Sequence, residues 1–360
     1  MDLPEGYEYT TGDRKDRYSF ESKDGAKFDL SVYYAMPGRA APYANVEAMA
    51  RDVQTRLNSK GGIESFEYRE KKAILMELSF SIPGNGAMSG WALGMELRSP
   101  YSEPGNNPAP TVRPLLLAIA YGPTEKQELI AFHLSTLDSL IPEDGDRLVP
   151  GPITELSFPR HVRVRAPIFG MDIDSLIYPD DAEAAQALID REFEVLRHYE
   201  NAPNWQEAWK RFYRAIYRDS FDRLVDIAFQ VERKLNVPER ENRDFANQAL
   251  QWVQSFEYER DMDGSDFINL VTAATEGRGD CDNRAMLWAI VLKQAGIPSA
   301  IMVSRHYGHA MGLADLPGTG ARFDVDGQKL LVAETTAEVS IGLIGETVSE
   351  IEHWLGVLFE

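Results

Sequence analysis

Four segments in the first 125 residues place apolar side chains at every second position, and this spacing commits that part of the chain to sheet. Phe28, Leu30, Val32 and Tyr34 share one parity. So do Ile74, Met76, Leu78, Phe80 and Ile82, then Trp91, Leu93, Met95 and Leu97, then Leu115, Leu117, Ile119 and Tyr121. Successive residues of a strand point to opposite faces, so a period of two lines one face of a sheet and cannot line one face of a helix. Small or polar residues fill most alternate positions of the second and third runs, which predicts a sheet with one buried face. Two stripes at helical spacing interrupt this pattern. Val46, Met49, Val53 and Leu57 form one, closed by Lys60-Gly61-Gly62, and Ile130, Leu134, Leu137 and Ile141 form the other. The expectation is an antiparallel sheet covered by helices.

The segment from Pro142 to Pro167 is rich in Pro and Gly and reads as a boundary. Beyond it, from Pro179 to Leu235, the pattern is helical and highly charged, with stripes such as Leu224, Ile227 and Val231. A further helix buries Phe245, Ala249, Trp252 and Phe256 on one side. At 360 residues the chain exceeds one ordinary core. The predicted class is α+β, with domains at 1–160 and 161–360.

Composition narrows the function. The formal charge is −20, which argues against a nucleic-acid backbone or an anionic membrane surface as partner, because both need clustered Lys and Arg. A single cysteine excludes an internal disulfide framework and a Cys-rich zinc site. No apolar run approaches the ~20 residues of a membrane span. The first residues carry neither a basic n-region nor an apolar h-region. That fits a cytoplasmic protein, and equally a mature chain whose export signal has been removed.

The lone thiol, Cys281, sits where chemistry is expected. Asp280 is a suitable helix N-cap, Gly296 stands where a C-terminal glycine belongs, and Pro298 prevents continuation. Ala285, Trp288, Leu292 and Ala295 make an apolar stripe, and Cys281 falls on the same face one turn earlier. Unpaired N–H groups and the helix dipole favour thiolate there, while the flanking Asp280 and Asp282 oppose it, so an imidazole partner is needed. Residues 299–316 read as strand, turn, strand, with His309 opening the second strand and His309, Met311 and Leu313 directed towards the cysteine helix. A second hairpin, turned by Asp326-Gly327, ends in Glu334 beside Thr335 and Thr336. Thiol, imidazole and carboxylate on neighbouring elements can form a nucleophile, base and orienter set. His306 competes with His309 but lies in the turn. Asp324 and Asp326 compete with Glu334 but sit where a hairpin turn favours Asp for local reasons. An activated Cys281 should be alkylated at pH 6. His133, His161, His198 and His353 read as surface or capping residues. The tripeptide Arg278-Gly279-Asp280 opens this helix and reads as partly buried rather than as an adhesion motif.

The blocks GRGDCDNRAMLWAIVLKQAGIPSAIMV, GHAMG and LLVAETT, in this order, resemble the transglutaminase-like superfamily of papain-fold cysteine enzymes. The resemblance spans roughly residues 240 to 340. It implies Cys281 as nucleophile, His309 as general base and Glu334 as orienting carboxylate, acting on a peptide or protein amide without metal or cofactor. The third residue of that family is more usually Asp, and its histidine is often followed by an aromatic where this chain has Ala310 and Met311. In the first half, the order hairpin, helix, meander, helix resembles the Mog1/PsbP-like sandwich. A silent binding module that keeps the same fold is the alternative.

Overall fold

The computed structural model describes residues 1–34, 40–98, 113–199, 201–235, 241–260 and 265–359. The chain divides into two compact units, residues 1–147 with 151–157, and residues 148–150 with 158–360.

In the first unit the alternating runs become strands: β1 (Glu8–Gly12), β2 (Arg17–Glu21), β3 (Lys27–Tyr33), β4 (Ile63–Tyr68), β5 (Lys71–Ile82), β6 (Gly86–Glu96) and β7 (Leu115–Pro123). They form one seven-stranded antiparallel sheet in the order β1-β2-β3-β7-β6-β5-β4. Helix α1 (Val46–Leu57), capped by the Asn45 side chain, packs Val46, Met49 and Val53 on Ile74, Met76, Leu78 and Leu117. A Cβ at Gly94 would lie 2.9 Å from Val46 Cγ2, so the absent side chain lets α1 approach β6. Helix α2 (Leu129–Asp138) lies on the other face, where Leu129 and His133 approach Gly122. The sheet is therefore covered on both sides, and the expected single buried face is corrected. Leu93 and Met95 are buried against the α2 side, while their neighbour Ala92 faces α1. The expected stripe on α2 also shifts: Ile130 is 40 % exposed, and Leu129, Phe132 and His133 are buried instead. His133, read from sequence as a surface residue, is 3 % exposed, and burial pushes its pKa down to about 4. The short helix α3 (Pro152–Ser157) closes the unit, with Asp138 accepting from the N–H groups of Ile153 and Thr154.

The second unit opens with the hairpin β8 (Val164–Pro167) and β9 (Asp174–Ile177). Six helices follow among the described residues: α4 (Asp181–Arg197), α5 (Trp205–Arg223), α6 (Val225–Leu235), α7 (Asn242–Gln254), α8 (Leu270–Glu276) and α9 (Cys281–Gln294). Then come β10 (Ser299–Ser304), β11 (His309–Ala314), β12 (Arg322–Val325), β13 (Gln328–Ala333) and β14 (Leu355–Leu358). These strands form an antiparallel sheet in the order β12-β13-β11-β10-β14. The protein is α+β. No helix among the described residues is long and apolar enough to cross a membrane.

Helix α9 is the centre of this unit. Its expected stripe is only part of its apolar surface, because every residue from Ala285 to Leu292 is fully buried. A helix apolar on all sides belongs inside a core. It packs on β10 and β11 along one side and on α6, α7 and α8 along the others. Trp288 lies against β11 at Gly312, where a Cβ would come within 2.4 Å of the indole, and its N–H donates to the Ala246 carbonyl at 3.0 Å.

Candidate active site

The first turn of α9 is tied down by its own sequence. Asp280 Oδ1 accepts from the N–H groups of Asp282 (3.0 Å) and Asn283 (3.1 Å), and Asn283 Oδ1 accepts in return from the Asp280 N–H at 3.0 Å. This reciprocal cap satisfies donors that otherwise stay open at a helix start. Gly279, at φ +149°, leaves room for the Asn283 side chain, which a Cβ would meet at 2.8 Å. Asp280 is 0 % exposed, so the Arg-Gly-Asp tripeptide is not displayed.

Cys281 follows at 1 % exposure. Its Sγ accepts from the N–H of Ala310 and lies 3.8 Å from Asp282 Oδ2. Burial, then the Asp282 and Asp280 carboxyls, push the thiol well up, while the Ala310 N–H and Arg260 pull it down. These surroundings favour the neutral thiol and so oppose the alkylation expected at pH 6. The physical reason is burial first, then the two acids, while the N–H groups of the helix start are already bound by the Asp280 carboxyl.

His309 opens β11, paired with Ser304 across the hairpin. Its Nε2 lies 2.9 Å from Glu334 Oε2. Gly312 pairs with Ala333, so continuing the register sets Glu334 opposite Met311, one diagonal step from His309. Glu334 Oε1 accepts from the Thr336 N–H at 2.8 Å and its hydroxyl at 2.6 Å. Burial raises the Glu334 carboxyl, but His309 and Thr336 outweigh it and hold the pKa below the ordinary value. Of the competitors, Asp324 Oδ1 accepts from the Gly327 N–H within its own turn, and the His306 ring stacks on His353 at 4.0 Å.

One expectation about β11 is corrected. The residues that face α9 are Ala310, Gly312 and Ala314, whereas Met311 and Leu313 enter a second cluster with Trp354 on the opposite face. The imidazole shares that opposite parity, and its ring centre lies 6.1 Å from that of Trp354. It reaches the α9 terminus because it opens the strand, next to Ala310, whose N–H donates to Sγ. Sγ makes no hydrogen bond to the imidazole. The structure thus brings His309 and Glu334 into direct contact and seats Cys281 on the adjoining backbone.

Two neighbours escaped the sequence reading. Tyr213 donates its hydroxyl to Asp282 Oδ1 at 2.7 Å, and Trp354 borders the imidazole. The signal for the first was the spacing of Trp205, Trp209 and Tyr213, one ring per turn of one helix face.

Asp280 carries a titration that can be measured. Its Oδ2 has no hydrogen-bond partner among the described residues, and burial, then the neighbouring Asp282, push the carboxyl up to about 8. Between pH 4 and 8 the fold keeps a proton that the unfolded chain releases, so stability falls as pH rises through this window. Asp280→Asn retains the cap and removes the titration. We expect it to be more stable than the parent by up to about 5 kcal/mol at pH 8, with the gain fading towards pH 4. Urea unfolding at both pH values is the check, and an equal difference at both would refute the assignment.

No family model matches this chain, and no curated protein matches it. Among solved structures, a protein from Bacteroides thetaiotaomicron is similar over 59 % of this chain and 72 % of its own, at 10 % identity and a TM-score of 0.22. A protein from Parabacteroides distasonis, named "putative protease", is similar over 91 % of this chain and 67 % of its own, at 11 % identity and a TM-score of 0.23. At these scores neither likeness decides fold or function.

Proposed function

We propose that this protein carries out thiol-dependent acyl transfer on amide bonds, with Cys281 as nucleophile, His309 as general base and Glu334 as orienter, in the manner of the transglutaminase-like enzymes its motifs resemble. The observation that carries this reading is the His309–Glu334 hydrogen bond at 2.9 Å, with Glu334 clasped by Thr336, beside the helix terminus that bears the only thiol. Glu334 occupies Nε2, which leaves Nδ1 to take the thiol proton. Sγ then bonds to the amide carbon and the C–N bond breaks. The proton passes to the departing amine, leaving a thioester that water resolves. The Cys281 N–H is one donor for the oxyanion. Because the resting thiol is neutral, the proton moves during attack rather than before it.

The test is mass spectrometry of the protein after exposure to an activated acyl ester. We expect one acyl group on Cys281, none on Cys281→Ala, and an acylation rate at least about 100-fold lower in Glu334→Gln, which keeps an acceptor but loses the charge that stabilises imidazolium. Acylation no faster than that of a free cysteine would favour the second reading, a silent binding module. The burial of Cys281 and its acidic flanks favour that reading.

A further inference from the structure

A cleft of about 320 Å³ opens in the second unit between the start of α5, the β10–β11 turn and the segment before β14. Its walls are aromatic. Trp205 and Trp209, one turn apart on α5, meet at 5.7 Å and 90°, and Trp354 stands across from them. Both walls lead to the site described above. Along one, Trp209 packs on Tyr213, whose hydroxyl holds Asp282 next to Cys281. Along the other, Trp354 borders the His309 ring. At the rim lie His306 stacked on His353, and Arg305 over the Trp205 ring at 5.7 Å.

Three indoles around one cleft are more than packing of α5 requires, since Trp205 and Trp209 are only half-buried and keep ring surface open. The volume lies at the lower end for binding pockets and suits a group the size of one large side chain. Perpendicular rings accept a further ring edge-to-face or offset, a geometry that favours aromatic over aliphatic occupants. Glu352 also lines the cleft, and Arg305 and His306 at its rim can donate to peptide carbonyls.

Resting on the acyl-transfer reading, we infer that this cleft is the specificity subsite of the same centre and takes an aromatic side chain of a peptide substrate, next to the amide under attack. Trp205 and Trp209 act as recognition residues.

Binding is tested apart from chemistry. In Cys281→Ala, indole fluorescence is titrated with acetyl-Ala-Phe-Ala-amide, acetyl-Ala-Ala-Ala-amide and N-acetylglucosamine. We expect the Phe peptide to bind at least about tenfold more tightly than its Ala counterpart. Adding Trp209→Ala should bring the two peptides within twofold. Trp205→Ala, nearer the rim, should do the same in part and covers the case in which Trp209→Ala does not fold. Equal binding of the two peptides, no binding of either, or a preference that survives both variants overturns the assignment. Tighter binding of N-acetylglucosamine than of the Phe peptide overturns it in favour of a glycan. Because these titrations need no thiol, a failed acylation experiment leaves their outcome independent.

Discussion

His309→Ala is expected to slow acylation of Cys281 by about 10²–10⁴-fold, the range a positioned general base supplies. The effect should be this large because the resting nucleophile is a thiol: burial, Asp282 and Asp280 all oppose its ionisation. Without an acceptor for the proton, only the small thiolate fraction reacts, and the parent and variant rates should converge as pH rises. His306→Ala should stay within about twofold, since that ring stacks on His353 rather than on Glu334. Rates come from stopped-flow release of the ester's leaving group, with mass spectrometry confirming the modified residue. If His306→Ala were the slower variant, the strand residue would not be the base. If neither mattered, the thiol would be acting alone and the silent-module reading would gain.

The largest expected effect on stability lies one layer below. Trp288 is fully buried, its ring covers Gly312 and its N–H satisfies the Ala246 carbonyl. Trp288→Ala should cost about 3–5 kcal/mol through lost burial and the cavity left behind. A buried carbonyl without its donor adds about 1–3 kcal/mol. Gly312→Ala attacks the same contact from the strand. Its methyl would come within 2.4 Å of the indole, so β11 must shift or the ring must leave its rotamer, at a cost of about 1–3 kcal/mol. Because β11 also carries His309, Gly312→Ala should slow acylation even at temperatures where the protein stays folded. Urea unfolding followed by far-ultraviolet circular dichroism measures the first effect. Full acylation by a well-folded Gly312→Ala protein would show that β11 holds the imidazole independently of α9.

Much of this architecture was legible because it is written in local signals. The period of two in Ile74–Ile82 and Leu115–Tyr121 yields β5 and β7, and Asp326-Gly327 turns the β12–β13 hairpin with both residues at positive φ. Asp280, Gly296 and Pro298 bound α9 because capping and chain reversal are settled by the residues at the ends themselves. The α+β class follows from these elements. The His309–Glu334 contact is less local, since β13 pairs with β11 past the intervening β12, and that antiparallel register sets the end of β13 near the start of β11.

Periodicity could not decide which parity of a strand meets which neighbour once both faces are covered. His309, Met311 and Leu313 alternate with Ala310, Gly312 and Ala314, and both sets are apolar enough to be buried, so only packing against Trp288 chose the small set for α9. The same ambiguity moved the buried side of α2 from Ile130 to Leu129 and Phe132 and drew His133 inside. The protonation of Cys281 was beyond sequence for a different reason. A helix terminus, two acids and an imidazole are all visible in the chain, but their balance depends on distances and on how much water remains, and burial beside Asp282 decided it. The sequence by itself determined the elements, their ends and the residues able to do chemistry. Only the tertiary structure decided which faces meet, and with them the charge state of the thiol, because burial and electrostatic coupling are properties of neighbours far apart along the chain.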